Sequence, residues 1–387
     1  MIITSLLDTD LYKLTMQQFA FHQRKGEIAT YKMYCRSGES LKETMPLIKE
    51  EISNFMDLKF TKDEIDYLKS LKENDIRIFK DDYLEFLKYL DLSIVDVLFE
   101  DETIIVKGPW EVSILFEVPV LAIVQESYWI RRPFPHRYEL SEKITKRKLE
   151  LLKTDKEFKF IDFGSRRRVS RKWHETIVER FVNDSNSLEG TSNVSIARKL
   201  NIKPIGTMAH EHFQAHQGFY PLMDSQKEAL IGWRVEYGDL LGIALTDIFN
   251  LKKFLIDFDK NLANKYRGVR HDSGDPIDWG NKIINHYLQL GIDPRDKVLV
   301  FSDGLTLESA MSIRNIFKDK IKVAFGIGTH VTNDFSDLDN SLKALSLVMK
   351  MVYMNEKATI KVSDESVKIT SESRELKKKT LQLLEEL

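Results

Sequence analysis

The sequence predicts an α/β protein in which an irregular (β/α) barrel-like domain follows an N-terminal α+β domain. From Phe158 onward, short apolar runs end in small or polar residues and give way to helix-period stretches. They recur at intervals of roughly 20 to 45 residues, the rhythm of a parallel sheet. Seven such runs, with an eighth before Gly190-Thr191-Ser192, suggest closure into a barrel, whose chemistry sits at the C-terminal strand ends. The first part of the chain reads differently, as a Lys- and Glu-rich helical layer followed by strands. The domains are placed at 1–150 and 151–387, with the last strands and tail of the second expected to pack back on the first.

At 387 residues the chain is long for one domain. Its 42% hydrophobic and 30% charged residues are those of a soluble globular protein. Lys and Arg number 58 against 60 Asp and Glu, a net charge of −2, so no global basic excess exists to hold a nucleic acid. The single cysteine, Cys35, excludes an intramolecular disulfide and a multi-cysteine zinc site, and fits a reducing cytoplasm. Met1 to Asp8 has no basic segment and does not read as a signal peptide. No apolar run approaches the roughly 20 residues that cross a bilayer, so no membrane partner is expected.

In chain order, Asp8-Thr9-Asp10 reads as a capped helix start before Leu11 and Leu14. Leu41 to Leu90 carries apolar residues at helical spacing, such as Ile48, Ile52 and Phe55. Ile94–Phe99, Thr103–Val106 and Trp110–Leu115 read as strands, with Asp101-Glu102 and Gly108-Pro109 as the turns between them. Leu140 to Lys153 is a solvated helix whose Lys143, Lys146, Arg147 and Lys148 read as surface charge. The barrel runs are then Phe158–Phe163, Lys203–Gly206, Leu241–Leu245, Tyr266–Arg270, Val298–Phe301, Ile321–Phe325 and Leu347–Val352.

Polar motifs fall at the ends of these runs. Gly164-Ser165-Arg166-Arg167-Arg168 puts arginines beside a glycine, which suits phosphate oxygens; Arg166 is read as the phosphate ligand, with helix-surface charge the reading for Arg168, Arg171 and Lys172. Thr207 to His216 holds three histidines, but the His-Glu-x-x-His zinc arrangement is absent, so His210 is better used as a nucleophile or general acid-base. Asp247 either orients that histidine or caps the next helix. In Gly268 to Pro276, strand alternation puts Arg270 and Asp272 on one face, and Gly274 supplies the turn. Asp272 and Asp275 could hold a divalent cation or sugar hydroxyls, or form an Asx-type turn. Ser302-Asp303-Gly304 and Gly326-Ile327-Gly328-Thr329 offer backbone N–H groups as phosphate cradles late in a barrel. Together the set fits a phosphorylated sugar carrying a pyrophosphate.

These motifs, with Leu7-Asp8-Thr9-Asp10-Leu11-Tyr12-Lys13-Leu14-Thr15-Met16, resemble the nicotinate phosphoribosyltransferases over almost the whole chain. The resemblance implies a type II phosphoribosyltransferase fold, dimeric with sites shared across the interface. It also implies the reaction: nicotinate and phosphoribosyl pyrophosphate give nicotinate mononucleotide and pyrophosphate, for NAD biosynthesis by salvage. ATP hydrolysis is coupled through a phosphohistidine, with Mg²⁺ on the pyrophosphate. Carried over by motif, His210 is the residue phosphorylated and Asp247 its orienting carboxylate. Tyr12, from the partner subunit, and Phe163 sandwich the pyridine ring, and Arg270 and Thr207 meet its carboxylate. Arg166, Asp272, Gly304, Gly326, Gly328 and Thr329 hold the phosphoribosyl moiety, while Asp275 is left between magnesium and a turn cap. His330 and the tail from Glu372 to Leu387 match no motif. Two rivals are a nicotinamide phosphoribosyltransferase and a non-catalytic protein binding phosphate esters or nucleic acid through Arg166 to Arg168.

Overall fold

A computed structural model describes residues 1–132, 137–364 and 369–387. In chain order its strands are β1 (Ile28–Cys35), β2 (Lys72–Glu73), β3 (Ile76–Arg77), β4 (Asp96–Glu100), β5 (Thr103–Pro109), β6 (Phe160–Asp162) and β7 (Leu188–Thr191). They continue with β8 (Ile243–Leu245), β9 (Gly268–His271), β10 (Val298–Phe301), β11 (Lys322–Ile327), β12 (Leu347–Met354) and β13 (Lys357–Ala358). Six of them form a sheet in the order β7-β6-β11-β10-β9-β8 with every neighbouring pair parallel. Their composition explains this. Val298-Leu299-Val300-Phe301 is apolar at every position, as a strand covered on both faces must be.

The run Lys203–Gly206 is not a regular strand but an irregular seam between β7 and β8. Ile205 N–H donates to the Thr191 carbonyl at 2.9 Å, and Thr191 N–H to the Lys203 carbonyl at 3.2 Å. On the other side the Thr207 hydroxyl donates to the Ile243 carbonyl at 3.3 Å. Pro204 has no N–H to offer a ladder, so a full strand cannot form there. The barrel is closed on this side by single bonds.

Leu347–Val352 departs from the expected barrel. It lies in β12, which runs antiparallel to β1 in a five-stranded sheet of order β13-β12-β1-β5-β4. Late-chain residues thus complete the sheet begun near the N-terminus. Trp110–Leu115 also differs: Trp110–Ser113 and Glu117–Arg131 are α-helical, joined by the 3-10 turn Ile114–Phe116. An apolar run with no clear period cannot distinguish a core strand from a buried helix. Gly108 and Pro109 consequently end β5 rather than turn between strands. By length and composition Trp110–Arg131 could cross a bilayer, but 89% of its apolar window is buried inside the protein. It is a core helix.

Buried charges fix the elements around the site. The helix Leu11–Gln23 begins where Asp10 predicts, yet Asp10 makes no cap bond. Its carboxylate accepts instead from Ser165 at 2.6 Å and Ser192 at 2.7 Å. Arg168, expected on a helix surface, is buried and forks onto Asp8 at 2.6 and 2.8 Å. Lys148 is likewise no surface charge; it is buried in the helix Arg137–Leu152 and meets Asp334 at 2.7 Å. Removing one partner of a buried ion pair strands the other, so Arg168→Ala is expected to cost about 3–5 kcal/mol in denaturant unfolding. A loss below about 1 kcal/mol, the range of exposed pairs, would show that this pair does not hold the N-terminus.

Candidate active site

A cavity of about 370 Å³ opens at the C-terminal ends of the parallel strands. The barrel side contributes Phe163, Arg166, Arg167, His210, Arg270 and Asp272, with Gly304, Gly328, Thr329 and His330. The facing wall comes from the five-stranded sheet and the segment after β13: Tyr31, Arg36, Lys350, Met351 and Lys361. The displaced β12 is therefore what walls the site. Tyr12 lines this cavity within its own chain.

His210 begins the helix His210–Gln217, and Asp247 follows β8. Their side chains meet at 2.7 Å through the imidazole Nε2 and carboxylate Oδ1. Asp247 Oδ2 accepts from Ser273 at 2.8 Å and pairs with the Lys361 ammonium at 3.0 Å. Asp247 caps no helix; Asn250 caps the next one. Burial opposes its charge, but His210 and Lys361 outweigh that and hold the carboxyl well below the usual range. With Asp247 ionised, Nε2 is assigned as the protonated nitrogen and Nδ1 carries the lone pair. Burial, then the Lys361 ammonium, push His210 below its ordinary value against the opposing pull of Asp247 and Asp272. The imidazole is neutral at pH 7, with its nucleophilic nitrogen uncommitted.

Around this pair the cavity gathers cations that repel one another. The Arg167 guanidinium is pushed down to about 10 by burial and then by Arg166 and Arg36. Lys350, which donates to Thr370 at 2.6 Å, is pushed down to about 7 by burial and then by Lys361 and Arg36. Among the described residues Arg166 has a single carboxylate bond, to Glu117 at 3.2 Å. Such a cluster is stabilised by a polyanion.

Arg270 and Asp272 lie on the same side of their strand end, as alternation predicts, while Val269 and His271 are buried. Asp272 Oδ1 accepts from Ser302 at 2.9 Å, and Oδ2 stands 3.7 Å from His210 Nε2. Gly326 is not in the cavity lining; a Cβ there would come within 2.2 Å of the Phe163 ring. Its role is to seat that ring. Gly304 has φ +59°, a conformation that glycine adopts without strain. Asp275 lies outside the cavity and caps the helix Pro276–Gln289 by accepting from Ile277 and Asp278 N–H. These bonds are those of the turn-cap reading. Thr207 lines a second cavity inside the barrel rather than this one.

The profile of the nicotinate phosphoribosyltransferase (NAPRTase) family matches residues 158–385, and that of its N-terminal domain residues 7–125. The chain belongs to the nicotinate phosphoribosyltransferase family. It is 42% identical to the nicotinate phosphoribosyltransferase of Yersinia enterocolitica over 374 residues, covering 94% of this chain and 91% of the relative. For the Proteus mirabilis protein of that name the figures are 41%, 389 residues, 97% and 94%. The crystal structure of nicotinate phosphoribosyltransferase from Vibrio cholerae matches with TM-score 0.91 at 34% identity, covering 98% of this chain and 93% of that one. The Porphyromonas gingivalis enzyme matches with TM-score 0.91 at 29% identity, covering 99% and 100%.

Within this family member, the donor atoms of His210, Asp247 and Asp272 lie within 4.8 Å of one another. Both Asp247 oxygens are taken, so Asp272 is the carboxylate that suits a magnesium ion bringing phosphate and water ligands with it. His212 and His216 are core residues, not ligands: His212 Nε2 donates to the Ala229 carbonyl at 3.0 Å, and burial pushes it down to about 4. Arg36, Lys350, Lys361 and His330 went unread in the sequence because none stands in a motif. Only β12 pairing with β1 brings Arg36 and Lys350 to the barrel mouth.

Lys361→Met tests the electrostatics directly. Reactions needing neutral His210 should persist to lower pH than an ordinary imidazole allows, because the folded value is depressed. Removing the ammonium removes a depressing charge, so the acid limb of the pH profile should move to higher pH. An unmoved limb would show that Lys361 does not tune His210.

Proposed function

We propose that this protein makes nicotinate mononucleotide from nicotinate and phosphoribosyl pyrophosphate, with ATP hydrolysis coupled through phosphorylation of His210. The observation that carries the reading is the 2.7 Å His210–Asp247 pair opening into a cation-walled cavity. The pyridine nitrogen attacks the anomeric carbon, the bond from that carbon to the pyrophosphate oxygen breaks, and its electron pair leaves with pyrophosphate. Arg36, Arg166 and Arg167 supply fixed positive charge for the leaving group, and Lys350, held at about 7, gains its proton as the anion binds. Magnesium, when bound, neutralises charge on the pyrophosphate. Asp272 faces the ribose and the oxocarbenium-like carbon, while Gly304, Gly328 and Thr329 offer donors to the sugar phosphate. Tyr12 and Phe163 flank the pyridine ring. Arg270 favours the carboxylate of nicotinate over the neutral amide, since a charge-assisted bond is the stronger. The same reading puts the protein in the cytoplasm, working as a homodimer in nicotinate salvage.

In the ATP half-reaction, His210 Nδ1 attacks the γ-phosphorus and ADP departs with the bond to the β–γ bridging oxygen. Asp247 keeps the Nε2 proton and steadies the ring. Coupling requires that the phosphohistidine bind substrates and products differently, by about 1–3 kcal/mol. His210→Ala is therefore expected to lose ATPase activity and ATP stimulation, while a slow ATP-independent transfer remains. Full-rate phosphorylation of that variant by ATP would remove His210 from its role. A preference for nicotinamide in a competition assay would overturn the substrate assignment.

A further inference from the structure

The barrel interior holds a second cavity of about 420 Å³, walled by apolar side chains such as Ile161, Ile243, Val298, Val300 and Ala324. Ile243, Val298 and Lys322 are the first residues of their strands, so this cavity reaches the N-terminal end of the barrel. The reaction cavity is at the opposite end. The two share Phe163, Ile205, Gly206 and Arg270, which form the partition between them. Close-packed barrels fill this space with branched side chains; here it is open as far as two residues of the proposed acid site.

Three observations say what occupies it. Arg270 donates through Nη1 to the Met208 carbonyl at 3.0 Å, but its buried Nε has no partner among the described residues. Such an unmet donor is costly unless an acceptor arrives. Thr207 lines the interior cavity only. A ring held against Phe163 would thus turn its carboxylate toward the barrel interior. At the mouth, Arg267 and Glu73 neutralise each other at 2.8 Å and the buried Lys297 ammonium is turned onto the Ala263 and Tyr266 carbonyls, leaving Lys72, Lys203 and Lys322 against Glu189 and Asp296. The excess is positive, and the wall behind it is apolar. That combination suits a small aromatic monocarboxylate.

Resting on the function proposed above, we propose that the barrel interior is the entry route for the pyridine carboxylic acid. The acid comes from the N-terminal end of the barrel while phosphoribosyl pyrophosphate fills the C-terminal end. A reaction cavity of about 370 Å³ that already holds the sugar and its phosphates leaves a second molecule little room to pass. Entry from behind lets the phosphorylated substrate bind first without shutting out the acid, and Phe163 and Arg270 are the gate.

The test is Ala324→Phe. Ala324 is half-buried at the cavity wall, so the larger ring has open space to fill. Expected are a fall of at least tenfold in kcat/KM for nicotinate at saturating phosphoribosyl pyrophosphate, and KM for the latter within twofold of wild type. The Kd of nicotinate for enzyme without phosphoribosyl pyrophosphate should stay within threefold, because a blocked route slows entry and exit alike and leaves the binding equilibrium unchanged. Unchanged kcat/KM, or a Kd that rises in parallel with its fall, overturns the route. If Ala324→Phe does not fold, the exposed pair Lys203→Glu/Lys322→Glu decides. Its kcat/KM for nicotinate should drop at least threefold at low salt and recover at high salt, as steering does; no drop overturns the proposal. Wild-type enzyme that transfers nothing to nicotinate would instead sink the functional reading itself.

Discussion

Asp247 is a buried carboxylate that accepts from, or pairs with, three groups lying far apart in the sequence: His210, Ser273 and Lys361. A lone buried charge would be costly, and this one is held by an ammonium and an imidazole. The arrangement fixes the tautomer of His210, and Lys361 helps keep its ring neutral. It also pins the segment after β13 to the barrel mouth. Gln214 and Gln217, on the helix that His210 begins, hold the same wall through the Met351 and Ile360 carbonyls. The chemistry proposed for the site rests on satisfying this one carboxylate.

A second buried network ties the helix that His210 begins to the N-terminal part of the chain. Glu211, next to His210, accepts from Lys13, Tyr31 and Trp110. Lys13 also meets Glu117 at 2.5 Å, and Glu117 holds Arg166. Charges from the helix Leu11–Gln23, the core helix Glu117–Arg131, the helix His210–Gln217 and the 3-10 turn Ser165–Arg167 are thereby linked in series. The histidine and the phosphate-facing arginine share one scaffold, so geometry at one end of the cavity depends on packing at the other.

The sequence was most legible where local rules act alone. Short apolar runs such as Val298–Phe301, repeated between helix-period stretches, read as buried parallel strands, and alternation put Arg270 and Asp272 on one side. His210, Arg166 and Thr329 were readable because strand ends in a barrel face the site. What could not be read was set by tertiary pairing. The last strands were expected to pack back on the first domain, but the run containing β12 looks like any other apolar strand, and only its register with β1 shows that it is the one that does so. Lys350 and Lys361 travel with it and were invisible for that reason. Lys148 and Arg168 looked like surface charge because a buried ion pair is recognisable only when Asp334 and Asp8 are known to be opposite. Gly326 suggested a phosphate cradle but answers to a ring, since a glycine signals close approach without saying of what.

The proposed chemistry turns on which imidazole nitrogen is free. Asp247 occupies Nε2, leaving Nδ1 to receive a phosphoryl group. NMR of the protein after incubation with ATP, using ³¹P and ¹⁵N-labelled histidine, distinguishes the two isomers. The predicted result is a phosphoramidate on Nδ1 of His210. A phosphoryl group on Nε2, or on any other residue, would contradict this assignment.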